Sequence, residues 1–243
     1  VSQQRGGAKS GGVSRVVVGV TPDIISVNTT DISTKSILVV PANERLVGTL
    51  FTPSEAASAG HKEGIVYIEQ TVDGLAHLAG GLALQNELRG LGPLTTGGAV
   101  ITGAPGGLGV LYSHCIHAVP PFYGHKDWRF DLDTCWKNAF AQALLTFPSS
   151  HQGSKVMVAP LLGAGARGAP AREACEVAAM AITEWDSGES ELEFIVHVNL
   201  LDDLDADALG EYLLCTGEWE ELDGEQLDGE GSEDVIMEMK RKE

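Results

Sequence analysis

The residues best suited to ligand chemistry form the segment Gly163-Ala164-Gly165-Ala166-Arg167-Gly168, between an apolar run and a predicted helix. Small residues let the backbone approach a ligand closely, and successive N–H groups at a helix N-terminus favour a phosphate-like anion. The segment lacks the Gly-Lys-Ser/Thr of a nucleoside-triphosphatase loop. It also spells the GxGxxG of dinucleotide-binding proteins, but beyond the helix that it precedes only one strand and one short helix are predicted, fewer than a dinucleotide-binding fold needs. A tight turn that binds nothing is the alternative.

A second group of residues, His114, Cys115, His117 and His125, raises the question of a zinc site. On a strand, His114 faces away from Cys115 and His117, so only two of these ligands share a face. Structural zinc sites are almost always four-coordinate. The sequence therefore predicts no metal site, and nothing in it indicates a cofactor.

Short apolar runs alternate with amphipathic segments, and this order predicts the elements that position the glycine-rich segment. The sequence predicts strands at 15–20, 24–28, 37–40, 99–102, 111–119, 155–162 and 192–198, with a possible extra strand at 65–68. It predicts helices at 73–90, 133–145, 170–185 and 205–214, with Asp73 as the N-cap of the first. Strands interleaved with helices indicate an α/β fold, a three-layer α/β/α sandwich around a mixed, mostly parallel sheet.

Charge is distributed unevenly over the 243 residues, whose formal net charge is −18. Residues 1–185 carry 14 acidic and 13 basic side chains, whereas residues 186–243 carry 20 and 3. A body without a basic stripe argues against a nucleic-acid partner. We expect a flexible N-terminal arm at 1–12, one domain at 13–216 with an insertion at about 49–71, and a disordered acidic tail at 217–243.

Apolar runs and cysteines indicate the cellular compartment of the protein. No run approaches the roughly 18 apolar residues that a transmembrane helix needs. The first residues also lack the apolar core of a secretory signal. The four cysteines are widely spaced and form no CxxC pair. We therefore expect an intracellular protein, cytoplasmic or nuclear, without a membrane partner.

Five segments, in the same order, resemble the macro domain, the fold that binds ADP-ribose, over about residues 16–215. They are Thr30-Asp31-Ile32, Val40-Pro41-Ala42-Asn43, residues 72–80, residues 96–102 followed by 115–119, and residues 160–170. The third segment begins Val72-Asp73-Gly74 and has His77, and it closely matches the start of a family helix. The resemblance implies a divergent macro domain that binds ADP-ribose, free or attached to protein.

The resemblance also implies roles for individual residues. Asp31 and Ile32 would contact adenine, residues 163–168 would hold the diphosphate through backbone N–H groups, and Asn43 and Asp73 would approach the distal ribose. In hydrolytic members the residue matching Asp73 activates the attacking water, so a mono-ADP-ribosyl hydrolase is an alternative. A degenerate fold that acts as a protein-interaction module is a further one. Without the resemblance, Asp31 is equally compatible with a turn and Asp73 with a plain N-cap.

Three departures from the family pattern concern the distal ribose. Val40 stands where the family usually has Asn, and Arg167 stands where an aromatic side chain usually covers the sugar. Residues 50–71 replace a short poly-glycine loop. These differences predict that recognition of adenine and diphosphate is retained, with hydrolysis weak or absent.

Overall fold

The β-branched and apolar runs of the sequence form one eight-stranded sheet among the residues that the structure describes. The structure is a computed structural model, and it describes residues 12–21, 25, 36–48, 71–146, 154–186, 193–222 and 235–242. The strands are β1 (Val13–Val20), β2 (Ser36–Pro41), β3 (Ala99–Gly103), β4 (Tyr112–Ala118), β5 (Lys155–Pro160), β6 (Phe194–Leu200), β7 (Trp219–Glu221) and β8 (Val235–Arg241). The helices are α1 (Val72–Leu91), α2 (Trp128–Thr146), α3 (Ala171–Glu184) and α4 (Asp203–Cys215).

Five central strands run parallel and bring their carboxyl ends to one edge of the sheet. The strand order is β3-β4-β2-β5-β6-β1-β8-β7, and every neighbouring pair from β4 to β1 is parallel. Strand β3 lies antiparallel to β4 at one side, while β8 lies antiparallel to β1 and β7 to β8 at the other. The predicted mixed, mostly parallel sheet is thereby confirmed. The predicted strands at 65–68 and, apart from Ile25, at 24–28 lie outside the described residues.

Both faces of the central strands are buried, which requires a layer of helices on each side. The four side chains from Ile37 to Val40 in β2 are all fully inaccessible, as their uniformly apolar character predicts. Helices α2, α3 and α4 cover one face of the sheet, where Phe140 packs against Phe194. Helix α1 covers the other face through Leu84 and Leu88. These two layers confirm the predicted three-layer sandwich.

The cysteines and helices add two observations about the described residues. All four cysteines are free thiols. Burial raises the pKa of Cys115, Cys135 and Cys175 to about 12, so these three are neutral at physiological pH.

No described helix combines the length and the apolar character that a membrane span needs.

The prediction that residues 217–243 form a disordered tail is wrong for the two parts that the structure describes. Strands β7 and β8 extend the sheet beyond β1, and both Trp219 and Met239 are fully buried. The Trp219 Nε1–H donates to Thr183 Oγ1 of α3 at 2.8 Å. Net charge misled the prediction because it averages over the segment, whereas alternate residues of a strand face opposite sides. Residues 223–234, the insertion through residue 70 and the arm at 1–11 lie outside the described residues.

Replacing Trp219 with Ala should lower the free energy of unfolding by about 3–5 kcal/mol, because it removes a buried aromatic side chain and leaves a cavity. The Trp219→Phe variant retains an aromatic ring but loses the hydrogen bond to Thr183, and should cost about 1–2 kcal/mol. Urea denaturation measures both differences. A chain truncated after Thr216 that unfolds at the wild-type urea concentration would contradict this role for the C-terminal strands.

Candidate functional site

The carboxyl ends of the parallel strands form the edge where open α/β sheets bind ligands. Three described connections emerge side by side there: residues 42–48 after β2, residues 119–127 after β4 and residues 161–170 after β5. The first turns of α1 lie at the same edge, because the His77 ring lies against Gly48 after β2 and is near enough to His117, at the end of β4, to lower its pKa. This edge therefore collects most of the described residues that the sequence singled out.

The glycine-rich segment forms a compact turn between β5 and α3, as the sequence predicts. Gly163, Gly165 and Gly168 have φ values of 86°, 67° and 79°, the left-handed region that glycine adopts without strain. The turn is closed by N–H groups of Gly168 and Ala169, which donate to carbonyls of Gly165 and Gly163 at 2.9 and 3.1 Å. Its tip is exposed, and a Cβ added at Gly165 would meet nothing within 4 Å. The backbone of this tip is thus accessible to an anionic group.

Arg167 leaves the turn and forms an ion pair with Glu44, a residue that the sequence did not single out. The Arg167 Nη1 lies 3.0 Å from Glu44 Oε1, and Nη2 donates to the carbonyl of Ala42 at 3.0 Å. Only 10% of the Arg167 side chain is exposed. Burial alone raises the pKa of Glu44, but hydrogen bonds and charge from Arg167 outweigh it and hold that pKa below its ordinary value. We call this contact the Arg167–Glu44 clamp.

The clamp connects the ends of three neighbouring strands. The Arg167 guanidinium lies 4.3 Å from the centre of the Phe122 ring, which follows β4. The backbone N–H of Tyr123 donates to the Arg167 carbonyl at 2.8 Å. On the β2 side, the N–H of Leu94 donates to the Glu44 carbonyl at 2.8 Å. Arg167 is therefore committed to holding the connections after β2, β4 and β5 together.

Asn43 ends the segment after β2 and uses its side chain within its own turn. Its Oδ1 accepts from the N–H groups of Arg45 at 3.1 Å and Val47 at 3.3 Å. Its Nδ2 donates to the Val47 carbonyl. These bonds shape residues 43–47 in the manner of an Asx turn. The expected approach of Asn43 to a distal ribose stays a prediction.

Asp73 lies at the start of α1, but the prediction that it caps this helix is wrong. The N-cap is Thr71, whose Oγ1 accepts from the N–H of Gly74 at 3.0 Å. A hydroxyl at this position satisfies one of the free N–H groups of the first turn. Asp73 is instead a first-turn residue, only 4% exposed, with its Oδ1 3.5 Å from His77 Nε2 one turn later.

The four residues considered as zinc ligands, His114, Cys115, His117 and His125, do not converge on one point. His117 is fully buried and forms a hydrogen bond between its Nε2 and Thr102 Oγ1 at 3.0 Å. Burial, together with the nearby His77, lowers the pKa of His117 to about 3, so it is neutral. His125 pairs instead with Asp131 at 3.2 Å. In the described part of the chain, no three His, Cys, Asp or Glu residues are grouped so that they could hold a metal ion.

Two predicted ligand contacts, Asp31 and Ile32, lie outside the described residues. The structure does bring Asn43, Asp73 and the turn at 163–168 to one edge of the sheet. Sequence reasoning missed Glu44 and Phe122, because their partner Arg167 is more than 40 residues away from both. The only signal in the sequence was Arg167 itself, a charged residue in a segment otherwise made of glycine and alanine.

Comparisons with known proteins agree with this architecture. The sequence model of the Macro domain family matches residues 39–178. A mutant of the Oceanobacillus iheyensis macrodomain with ADPR shares 21% identity and a TM-score of 0.59, covering 83% of this chain and 92% of that chain. The Trypanosoma brucei macrodomain in complex with ADP-ribose shares 17% identity and a TM-score of 0.58, covering 83% and 69%. A sequence comparison with curated proteins gives no match.

The clamp should make stability depend on pH through Glu44. Because the folded-state pKa of Glu44 is lowered, its ionised form stabilises the protein above its unfolded pKa of about 4.3. That contribution disappears as the pH falls through the folded-state value. Glu44→Gln should therefore lower the melting temperature at pH 7, and the difference from wild type should shrink steadily below about pH 4.

The matched control is Glu211→Gln, which removes the exposed α4 partner of Arg172 in α3. Exposed ion pairs contribute little, so this variant should melt like wild type at every pH. Equal melting of Glu44→Gln and wild type at pH 7 would show that the clamp does not stabilise the fold.

Proposed function

Because the chain belongs to the macro domain family, whose sequence model matches more than half of it, we propose that it binds ADP-ribose, free or attached to protein. The proposal rests on the glycine turn at 163–168, which exposes its tip at the carboxyl edge of the sheet. An exposed backbone turn before a helix suits a diphosphate without any basic side chain. Two macrodomains of the same fold have been solved with ADPR or ADP-ribose, which supports this ligand.

We assign the two ends of the ligand from the family resemblance. The diphosphate would contact residues 163–168, and adenine would lie toward Asp31 and Ile32, as the family resemblance implies. The distal ribose would then extend toward the start of α1 and the turn that Asn43 holds. The Arg167–Glu44 clamp lies beside this path and fixes the distance between the turn after β2 and the glycine turn.

Binding is favoured over hydrolysis as the main activity. The tentative catalytic residue Asp73 is almost completely buried and pairs with His77. A general base must be within hydrogen-bond reach of the attacking water, and a buried Asp73 that pairs with His77 is poorly placed for that role. Arg167, in the place of the usual aromatic side chain, is held by Glu44 and Ala42 rather than left free to cover a sugar. We therefore propose weak or absent turnover of mono-ADP-ribosylated protein. We place this function inside the cell. A role as a pure protein-interaction module would follow only if no ligand binds.

Calorimetry with ADP-ribose, ADP and NAD should give a dissociation constant for ADP-ribose of micromolar or better, about −8 kcal/mol. ADP should bind more weakly, because it lacks the distal ribose. Equal binding of ADP and ADP-ribose would show that the distal end is not recognised, and tighter binding of NAD would favour a dinucleotide site. Absence of heat with all three ligands would reject the proposed function.

An Ala166→Glu substitution tests whether the diphosphate lies at the glycine turn. Ala166 is exposed at the tip and has no left-handed φ, so a side chain fits without strain. A carboxylate near a phosphate costs about 1 kcal/mol in water and several times more in a partly desolvated site, so affinity should fall about tenfold or more. The neutral control Ala166→Gln should bind within about threefold of wild type. Equal losses in both variants would indicate a steric effect, and no loss in either would place the diphosphate elsewhere.

A further inference from the structure

Strand β3 is the last strand at one side of the sheet, and its outer edge presents main-chain groups. In an antiparallel pair, alternate residues bond to the partner strand and the others direct their N–H and C=O groups outward. The Gly103 N–H points outward, because it donates to Glu87 Oε1 at 2.9 Å. Ala99 and Ile101 share its orientation. Their N–H and C=O groups have no hydrogen-bond partner in the described part of the chain.

The chain protects the other edge of the sheet but not this one. Soluble proteins limit edge-to-edge association with short or charged edge strands. Strand β7, at the far side, has only three residues, and two of them are the exposed Glu220 and Glu221. Strand β3 has five residues and no charge. Residues 90–125, which include β3, contain no Asp, Glu, Lys or Arg, although these types make up 21% of the chain.

Helix α2 presents an uncharged stripe beside the same edge. The Asn138 Nδ2 donates to the Gly97 carbonyl at 2.9 Å, so this side of α2 lies against the start of β3. Ala141 and Leu145 continue the stripe at helical spacing, and Leu145 is 80% exposed. At 1.5 Å per residue, Leu145 lies about 10 Å beyond Asn138 along the helix. That distance corresponds to about three strand residues, which is the level of Val100.

We propose that this edge forms a homodimer in which β3 pairs antiparallel with β3 of a second copy. We call β3, Ala141 and Leu145 together the dimer face. Pairing centred on Ile101 joins this residue to its own counterpart by two hydrogen bonds. Two more bonds run from the Ala99 N–H groups to the Gly103 carbonyls of the other copy. All four leave the contact between Glu87 and the Gly103 N–H in place.

The position of α2 suits this arrangement. A two-fold axis perpendicular to the sheet keeps α2 and its counterpart on the same face. Helix α2 contacts both β3 and β4, so its axis lies about half a strand spacing, roughly 2.4 Å, inside β3. Strands paired about 4.8 Å apart then hold the two helices about 10 Å apart, a distance at which helices pack. The two Leu145 side chains therefore meet close to the axis.

Area and charge both favour a second copy as the occupant. A stable interface buries about 1,200–2,000 Å², more than a five-residue strand pair supplies, and the paired α2 helices add to it. Charged residues are depleted in the core of interfaces. Two chains of net charge −18 repel each other, and the dimer face is where they bring few like charges together. The carboxyl edges of the two sheets point in opposite directions, so the candidate ligand sites stay open.

Sedimentation equilibrium of the full chain tests the proposal. The wild type should approach twice its mass of 25.6 kDa as the protein concentration rises. Leu145→Glu and Leu145→Lys should each weaken association about tenfold or more, because each places like charges together across the axis. An equal mixture of the two variants should associate again, as a heterodimer of opposite charges. Leu204→Glu is the matched control, an equally exposed leucine of α4 at 79%, and should associate as the wild type does.

Hydrogen exchange identifies the strand that pairs. The amides of Ala99 and Ile101 should exchange slowly at high protein concentration and rapidly at low concentration, because only the dimer bonds them. The amides of Val100 and Thr102 bond to β4 within one copy and should be protected at both concentrations. These two residues are the internal control, since they belong to the same strand.

The outcomes leave the proposal independent of ADP-ribose binding. A wild type that stays monomeric at every concentration overturns it. A dimer that tolerates both substitutions of Leu145, or variants that do not associate when mixed, would also overturn it, because the interface would lie elsewhere. Equal protection of Ala99 and Ile101 at every concentration would show that another part of the same chain covers the edge, which overturns it too. Leu145→Glu should bind ADP-ribose as the wild type does, whatever that affinity is.

Discussion

The structure depends on one constraint: the middle strands of the sheet have no face that contacts water. Strand β2 consists of side chains that are buried on both sides, so helices must cover both. Parallel neighbours such as β2, β5 and β6 can be joined only by crossovers, which return the chain to the opposite end each time. The carboxyl ends therefore gather at one edge together with the connections that leave them. The position of the candidate site is a consequence of this burial.

At that edge the backbone and the side chains have separate tasks. In the proposed function the glycine turn presents main-chain groups to an anion, so a body with nearly balanced charge can still suit a diphosphate. The charged side chain in the same turn, Arg167, donates its hydrogen bonds to Glu44 and to the Ala42 carbonyl. A cation that holds the connections in place stabilises the shape of the site rather than attracting the ligand. The departure from the family's aromatic residue thus has a structural explanation.

Sequence patterns predicted those parts of the molecule that are encoded locally. The apolar run of β2, the helical segments of α1 and the glycine turn each depend on residues that are close together in the chain, and each appears where expected, although α1 is broken at Gly81. The clamp could not be predicted, because Arg167 and Glu44 are 123 positions apart and no local pattern pairs them. The N-cap was misplaced by two residues, since Thr71 and Asp73 are both good capping residues. The C-terminal strands were missed because their acidic surroundings concealed a few buried side chains, Trp219 and Met239 above all.

The position of β1 has a consequence for synthesis on the ribosome. This strand, rich in valine, lies between β6 and β8, and Ser14 bonds to Phe194 across 180 positions of the chain. At about 5–20 residues per second, β1 waits roughly 10–40 s before its first partner has been translated. During that interval an apolar, β-branched segment has both of its hydrogen-bonding edges unpaired, the condition under which nascent chains associate with one another. The native sheet thus leaves this segment exposed to such association until β6 has been translated.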